Sequence, residues 1–271
     1  MHRLSTALLL AAALPAAARA QGYQTQRNAF TWEGPVPAGE WLYLRNVNGD
    51  VRVERASGDR VTVTADKGWR RGDPARVRVV QQAAPGGGVV VCTLYGDDGT
   101  CDPQNYRSGK SGGNWRRAMG GSDDVSVRYT VRVPAGVRVD MRTTNGNVSV
   151  RGAGSEVVAS TTNGNVFGET TGGPVRAHTT NGDVDVRMGS AGAAAADLDF
   201  TTTNGSVRVA VPESIGAQVS LATTNGSVSS DFPVTVQGRV DGRRLNFTLG
   251  DGSRRVRART TNGNVELRRT R

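Results

Sequence analysis

The chain has 271 residues, 36 glycines and a formal net charge of +10. This length and glycine content suit one elongated β domain. After residue 20, no apolar run is long enough to span a bilayer. The basic balance favours acidic partners such as anionic polysaccharide, lipopolysaccharide or nucleic acid. Because the arginines are dispersed along the chain, an arginine-rich solvated surface is the alternative.

Residues 1–20 have the pattern of a signal peptide. A basic start is followed by a stretch rich in leucine and alanine, and Ala18-Arg19-Ala20 matches the small-x-small pattern of a cleavage site. We therefore expect residues 21–271 to form a single exported domain that is periplasmic, cell-surface or secreted. The position after the site is Gln21 rather than cysteine, which argues against a lipoprotein anchor.

The first part of the domain, residues 28–133, alternates in the manner of β-strands. The segments 41–53, 60–64, 76–80, 89–95 and 125–133 carry this pattern. The polar stretch 21–33 is expected to be an arm or an N-terminal cap. Residues 96–124 are rich in glycine, aspartate, serine and arginine, and they are predicted to form a long surface loop.

The two cysteines, Cys92 and Cys101, lie close in sequence. In an exported protein such an isolated pair is predicted to form a disulfide, which would stabilise the fold by roughly 2–3 kcal/mol. A metal site would need further ligands, and His178 is the one histidine that remains after the leader. We therefore predict neither a bound metal nor a cofactor.

The long loop holds the best-motivated ligand site in the sequence. Trp115 stands beside Arg116 and Arg117, with Tyr106 nearby. An aromatic ring among cations can stack on a sugar ring while the cations bind its acidic groups. The alternative is that Trp115 is incidental. Export disfavours nucleic acid, so the predicted partner is an anionic polysaccharide or another envelope glycan.

From residue 134 to residue 271 the sequence repeats the motif Thr-Thr-Asn-Gly, then Asn, Asp or Ser, then Val. Successive motif asparagines are 18, 18, 23, 21 and 37 residues apart, and a period near 20 indicates stacked repeats. A degenerate copy precedes them. The Asn-Gly pairs predicted to form structural turns are Asn48-Gly49, Asn145-Gly146, Asn163-Gly164, Asn181-Gly182, Asn204-Gly205, Asn225-Gly226 and Asn262-Gly263.

Aligning the copies on the asparagine reveals a two-residue period. Apolar residues stand six and four positions before it, threonine two before it and valine three after it, which predicts one buried strand face. Two all-β architectures fit. One is an antiparallel β-meander of Asn-Gly hairpins; the other is a parallel β-solenoid with 18–23 residues in each coil.

The near-identity of the motif favours the solenoid, because like residues then stack in ladders about 4.8 Å apart. We expect the inward threonine and the asparagine to bond to their neighbours in the stack. An 18-residue coil has room for three short strands. The 37-residue interval before Asn262 is expected to hold two coils, one of them near residues 240–249 without the motif. The N-terminal arm and the C-terminal arginines are the expected caps.

The lead-in Val133-Pro134-Ala135-Gly136, followed by the reiterated motif, resembles the bacterial DUF4097 family of putative adhesins, which is related to the head-GIN-domain autotransporter adhesins. The resemblance covers about residues 41–268. It implies a right-handed parallel β-helix at the cell envelope, without an established enzymatic activity. It gives no functional residues to transfer.

The catalytic signals in the sequence are weak. His178 occupies an outward position whose equivalents are Arg, Ser, Thr and Ala, which indicates a surface histidine. Asp140, Asp185 and Asp199 are predicted to point outward, so a carbohydrate-active β-helix enzyme of the lyase or hydrolase type is the alternative function. A deep groove lined by three convergent acids or arginines from adjacent coils would favour it. The leading prediction is a non-enzymatic binding or structural module.

Overall fold

The computed structural model describes residues 23–109, 124–190, 196–234 and 242–270. In these ranges the chain forms twenty β-strands in two ten-stranded sheets, two short 3-10 turns (Pro74–Arg76 and Pro85–Gly87) and no α-helix. The strands in chain order are β1 (Gln24–Gly34), β2 (Trp41–Arg45), β3 (Val51–Arg55), β4 (Val61–Trp69), β5 (Arg78–Ala83), β6 (Val89–Leu94), β7 (Ser126–Val133), β8 (Arg138–Arg142), β9 (Val148–Ala153), β10 (Val157–Ser160), β11 (Val166–Thr170), β12 (Val175–His178), β13 (Val184–Met188), β14 (Leu198–Thr201), β15 (Val207–Pro212), β16 (Ala217–Asn225), β17 (Val228–Ser230), β18 (Arg244–Leu249), β19 (Arg254–Asn262) and β20 (Val265–Thr270).

The two sheets are built from the two halves of each repeat. Sheet A has the order β1-β4-β7-β3-β9-β11-β13-β15-β20-β17, and sheet B has the order β18-β16-β19-β14-β12-β10-β8-β2-β6-β5. The strand before each Asn-Gly corner lies in sheet B, and the strand after it lies in sheet A. Neighbouring repeats pair in parallel, as β8 does with β10 and β9 with β11.

This arrangement confirms the predicted parallel β-solenoid. The antiparallel meander is wrong for the repeats, because the strands on either side of a corner belong to different sheets and do not pair with each other. A coil also has two strands rather than the expected three. The corners and the return turns use the remaining residues.

The core follows the predicted inward register. Val157 and Ala159 before one corner and Val166 after it are at most 2% exposed. Their equivalents in the neighbouring coils stand directly alongside, since Val157 is in register with both Val139 and Val175. The inward side chains of both sheets pack into one continuous cluster. Each fully buried valine contributes about 1.5–3 kcal/mol through the removal of apolar surface from water.

The motif asparagines form one continuous hydrogen-bonded ladder at the corner. In every coil after that of Asn48 the side-chain Nδ2 donates to the Oδ1 of the neighbouring asparagine, at 2.8 Å from Asn163 to Asn145 and from Asn181 to Asn163. Parallel backbone bridges accompany the ladder. Its order in space is Asn48, Asn145, Asn163, Asn181, Asn204, Asn262 and Asn225.

The corner glycine and the inward threonine complete the turn. Gly164 has a φ of +150°, and a Cβ atom placed there would lie 2.2 Å from the carbonyl oxygen of Gly146 in the adjacent coil. Only glycine fits, because both the backbone conformation and the spacing of the coils exclude a side chain. The hydroxyl of Thr161 donates to the same Gly146 oxygen at 2.8 Å.

The order of the coils in space differs from their order in the chain at both ends. The last coil, β19–β20, is inserted between β14–β15 and β16–β17. At the other end, β2 lies between β8 and β6 in sheet B, and β3 lies between β9 and β7 in sheet A. The strands β6 and β7 are therefore nearer the end of the stack than β2 and β3, although they follow them in the chain.

Two expectations about the C-terminal part are therefore wrong. The interval before Asn262 contains no second stacked coil among its described residues, because β18 runs antiparallel to β16 as an edge strand. The C-terminal arginines do not cap an end either, because β20 has a parallel neighbour on each side.

Antiparallel strands form three of the four sheet edges in the described ranges, and the parallel strand β17 forms the fourth. In sheet A, β1 pairs with β4 and β4 pairs with β7; in sheet B, β5 covers β6 and β18 covers β16. The polar arm expected to be a cap forms β1, and its Phe30 and Trp32 pack against the core. Because antiparallel pairing breaks the parallel register, these strands end the repeat without offering the next coil a matching edge.

A buried polar network supports the first motif coil, which has Asn46 where the others have threonine. The side-chain amide of Asn46 donates to the carbonyl of Val127 at 2.9 Å, and its Oδ1 accepts from Thr93. The hydroxyls of Thr93 and Tyr129 lie 2.5 Å apart. Burial raises the pKa of Tyr129, and it raises the pKa of Tyr95 from 10.0 to about 12.

Alkaline pH is therefore expected to destabilise the fold through Tyr95. Above pH 10 the unfolded chain releases this proton while the folded chain, with its pKa near 12, retains it. Tyr95 alone should then lower the free energy of unfolding by about 1.4 kcal/mol for each pH unit between these values. Urea unfolding from pH 8 to pH 12 measures this decline, and Tyr95→Phe should make it shallower. An identical pH dependence in the variant would contradict the assignment.

A matched pair of adjacent threonines tests the corner. Thr161→Val removes the buried bond to the Gly146 carbonyl and should lower the free energy of unfolding by about 1–2 kcal/mol. Thr162→Val changes an exposed neighbour and should stay within about 0.5 kcal/mol of the parent. Equal effects in urea unfolding would show that the inward hydroxyl has no special role.

Candidate binding surface

Two adjoining depressions lie on the outward face of sheet B. One, of about 420 Å³, crosses β8, β10, β12 and β14. The other, of about 540 Å³, crosses β14, β19, β16 and β18. Asp197 and Asp199 line both, so the depressions join at β14. We call this continuous feature the trough. The polar side chains that line it are Arg142, Ser160, Arg176, His178, Asp197, Asp199, Thr201, Gln218, Ser220, Asn246, Arg255, Arg257 and Arg259.

The strand register sets the pattern of charge in the trough. Buried Val256 and Ala258 alternate with three outward arginines on β19, because successive side chains of a strand point to opposite faces. Parallel pairing places Asp199 between Arg176 and Arg257 across the sheet. Polar uncharged residues of β16 and β18 complete the far end.

Ion pairs neutralise one end of the trough more than the other. Asp140 binds Arg142 at 2.8 Å, and Glu156 binds Arg176 at 2.8 Å. Within the described part of the chain, Arg257 and Arg259 have neither an ion pair nor a side-chain hydrogen bond. The trough is therefore most positive along β19.

Asp197 is held in its charged form. It accepts two hydrogen bonds from the Arg255 guanidinium, at 2.6 and 3.0 Å, and one from the Arg255 backbone. These bonds lower the pKa of Asp197. This shift is the opposite of what a general acid needs, since a general acid must keep its proton near neutral pH.

His178 lies in the trough, and its Nδ1 is 2.7 Å from the Thr201 hydroxyl. Its position on β12 is the outward surface position that the register predicts. Over the described ranges, no group of three or more His, Cys, Asp or Glu side chains is placed to hold a metal ion. In that same part of the chain, no helix is long and apolar enough to cross a membrane.

An aromatic and cationic cluster extends the outward face beyond β8. Trp41 and Tyr43 stack with their ring centroids 5.8 Å apart, and both are partly exposed. Arg138 lies 4.8 Å from the Trp41 ring and Arg45 lies 5.4 Å from the Tyr43 ring, within the range of cation–π attraction. Sequence reasoning missed this cluster, although Trp41 and Tyr43 alternate on one predicted strand face.

Beside the cluster, Arg45 and Asp140 form a buried ion pair at 2.9 Å. Asp140 points outward from sheet B, as the register predicted, but it is only 5% exposed because Arg45 and Arg142 both bind it. Burial lowers the pKa of Arg45, and the carboxylate of Asp140 opposes that effect. Arg45 also donates to the carbonyl of Pro103 at 2.8 Å, which ties the loop after β6 to sheet B.

A disulfide holds that loop in place. Cys92 and Cys101 are bonded, with their Cα atoms 5.6 Å apart, as the sequence predicted. Around the bond, Val90, Leu94 and Tyr43 form a second small apolar cluster outside sheet B. The outward face is therefore covered by the loop at this end and open to solvent along the trough.

The proposed ligand site in the long loop is only partly described. Trp115, Arg116 and Arg117 lie outside the described residues. Tyr106 packs against the disulfide cluster, and its hydroxyl donates to the Thr93 carbonyl at 2.6 Å. Burial raises the pKa of Tyr106. The hydroxyl of Tyr106 is thus engaged within the protein.

The trough arginines were not among the predicted site residues. The alternation Arg255-Val256-Arg257-Ala258-Arg259 was the available signal, since a strand with this pattern presents three guanidinium groups on one face. Their proximity to Asp197 and Asp199 depends on the insertion of the last coil beside β14, which chain order does not indicate.

The fold and this surface define a class: a solenoid of two-strand coils with an arginine-rich outer face. A sequence model of the Toastrack DUF4097 family matches residues 115–268, more than half of the chain. The chain belongs to this family, as the resemblance of its motif indicated.

Two solved structures are similar to the chain. One is a putative cell adhesion protein from Clostridium sporogenes ATCC 15579, with 10% identity and a TM-score of 0.41, covering 90% of this chain and 100% of the other. The second is a putative adhesin from Bacteroides fragilis NCTC 9343, with 9% identity and a TM-score of 0.31, covering 89% and 96%. No curated protein matches the sequence.

The buried ion pair should matter more to stability than the exposed one. Asp140→Asn leaves Arg45 charged and buried without its counter-ion, and should lower the free energy of unfolding by about 3 kcal/mol. Asp197→Asn makes the same chemical change at the exposed Arg255 pair, where water screens the charges, and should cost much less. Urea unfolding of both variants measures the difference, and equal losses would contradict this account.

Proposed function

We propose that this protein is an exported, non-enzymatic binding module of the cell envelope that holds an anionic polysaccharide in the trough. The observation that carries the proposal is the pair Arg257 and Arg259, which line the trough without an ion-pair partner among the described residues. Guanidinium groups bind carboxylate, sulfate or phosphate oxygens with charge-assisted and often bidentate hydrogen bonds. The binding experiment described below also measures whether the protein binds other polyanions equally well.

The shape of the trough suits an extended polymer. It crosses seven neighbouring strands, from β8 to β18, which at about 4.8 Å between strands corresponds to roughly 29 Å. A polymer that lies across the strands would meet arginines of β8, β12 and β19 in turn. Each exposed contact contributes little alone, about 0–1 kcal/mol, so affinity would arise from several simultaneous contacts.

The neighbouring aromatic pair favours a sugar-containing polymer over charge alone. Trp41 and Tyr43 continue the outward face next to β8, and both rings are partly exposed. Aromatic rings at a wet surface can pack against the apolar face of a sugar while polar neighbours bind its hydroxyl groups. The proposed ligand is therefore an acidic glycan.

Export and a single-domain organisation are parts of the same proposal. The leader pattern at residues 1–20 supports export, and the Cys92–Cys101 disulfide is typical of an oxidising compartment. Residues 21–271 would then form one module in the periplasm, on the cell surface or outside the cell. The adhesin descriptions of the similar structures are consistent with a binding role.

A carbohydrate-active enzyme is the second candidate, because acids and arginines from adjacent coils do line the trough. Asp197 and Asp199 lie together where its two halves meet. The lowered pKa of Asp197 suits a permanent anion rather than a general acid, which leaves Asp199 as the carboxylate on which an enzymatic role would depend.

Binding to an array of envelope and acidic glycans tests the proposal. The double variant Arg257→Ser/Arg259→Ser should weaken binding of the best glycan about tenfold, which corresponds to about 1.4 kcal/mol. Arg151→Ser/Arg187→Ser removes the same charge from exposed residues on the outward face of sheet A and should change affinity less than about twofold. Added salt should weaken binding by the parent protein.

Three outcomes would contradict the proposal. Equal losses in the two double variants would mean that overall charge, not the trough, governs binding. Equal affinity for DNA and for acidic glycans would remove the preference for sugar. Shortening of the bound glycan by the parent protein, but not by Asp199→Asn, would establish the enzymatic alternative.

A further inference from the structure

The seven Asn-Gly corners share a sequence that is chemically labile. The backbone nitrogen of the residue after asparagine can attack the side-chain amide carbon, and glycine hinders this attack least because it has no side chain. All seven corners have this dipeptide, and in six of them Thr-Thr comes directly before it and Val stands two residues after the glycine. Differences in reactivity must therefore come from the folded structure.

The reaction has two steps. The glycine nitrogen loses its proton and bonds to the asparagine Cγ, while the Cγ–Nδ2 bond breaks and Nδ2 leaves as ammonia. The resulting five-membered succinimide then adds water across one of its two C–N bonds, giving aspartate or iso-aspartate. Water is the only other reactant, and nothing is oxidised or reduced.

Six of the corners are protected against the first step. In each, the glycine N–H donates to the asparagine carbonyl of the next coil, at 2.9 Å from Gly146 to Asn163 and from Gly263 to Asn225. The Oδ1 of each of these asparagines also accepts from the next asparagine of the ladder, as Asn262 accepts from Asn225 at 2.8 Å. The nucleophile and the side-chain amide are both held by hydrogen bonds.

Asn225 differs because it stands at the end of the ladder. Among the residues that the structure describes, nothing accepts from the Gly226 N–H and nothing donates to the Oδ1 of Asn225. Gly226 is also exposed, whereas the other six corner glycines are half-buried. The opposite end is not equivalent, because the Gly49 N–H donates to the Asn145 carbonyl at 2.8 Å.

We infer that Asn225 is the site of spontaneous deamidation in the folded protein. The product affects the coil that carries it, because aspartate cannot donate to the Oδ1 of Asn262 as the amide does. Iso-aspartate also lengthens the backbone at a corner where the coils approach closely, since a Cβ atom at Gly226 would lie 2.0 Å from the Gly263 oxygen. Deamidation therefore loosens the outermost motif coil, β16–β17.

Peptide mapping of the aged protein tests this inference. The chain is incubated at pH 8 and 37 °C, folded or in urea, and is then cleaved after arginine, which places every Asn-Gly pair in a separate peptide. In urea the six corners with the same flanking residues should react at similar rates. In the folded protein Asn225 should react about 25-fold faster than any other corner, since two hydrogen bonds, each worth about a factor of five, are absent there.

Either of two results would contradict the inference that Asn225 is the reactive corner. A second corner that reacts as fast as Asn225 in the folded protein, or an Asn225 protected as strongly as the rest, would overturn it. Asn225→Gln serves as the control for peptide assignment, because a six-membered ring closes much more slowly and the signal must disappear.

Discussion

The close approach of the coils at the Asn-Gly corner is the constraint on which the rest of the solenoid depends. A side chain on Gly164 would overlap the carbonyl of the adjacent coil, so the backbone itself forms the contact there. The threonine hydroxyl and the asparagine amide satisfy the polar groups that this contact brings together. Because every corner is fixed in this way, the valines before and after it align with the equivalent valines of the neighbouring coils. The same strand register is therefore kept through the whole stack.

Because the corners and the inward side chains hold the stack together, the outward side chains of the strands are free to vary. The candidate site lies among these outward side chains. The inward rows repeat valine, alanine and threonine, whereas the outward row of sheet B changes from aspartate to valine to arginine between neighbouring strands. The charge on the outward face of sheet B therefore differs from one coil to the next. The trough arises where one strand contributes three arginines and its neighbours contribute short polar side chains.

The sequence predicted the coil far better than it predicted the assembly of coils. Periodicity within 18 residues identified the inward valines, the Asn-Gly corners and the parallel stack, because these follow from local spacing. It did not reveal that β19 pairs with β14, a contact between residues 58 apart that depends on where the chain returns. The trough depends on that contact, so its residues were missed. The burial of Asp140 on the outward face was also not predicted, because it comes from Arg45, 95 residues away.

The inserted last coil also has a consequence for how the protein matures. In most repeat proteins the stack can grow coil by coil from one end as the chain is made. Here the strand that separates β15 from β17 is β20, which follows both of them in the chain, so the stack cannot close until residues 265–270 have been made. A chain cut before β19 would lose an interior coil and not a terminal one. Assembly of the interior of the stack therefore depends on residues that are synthesised after the coils on both sides of them.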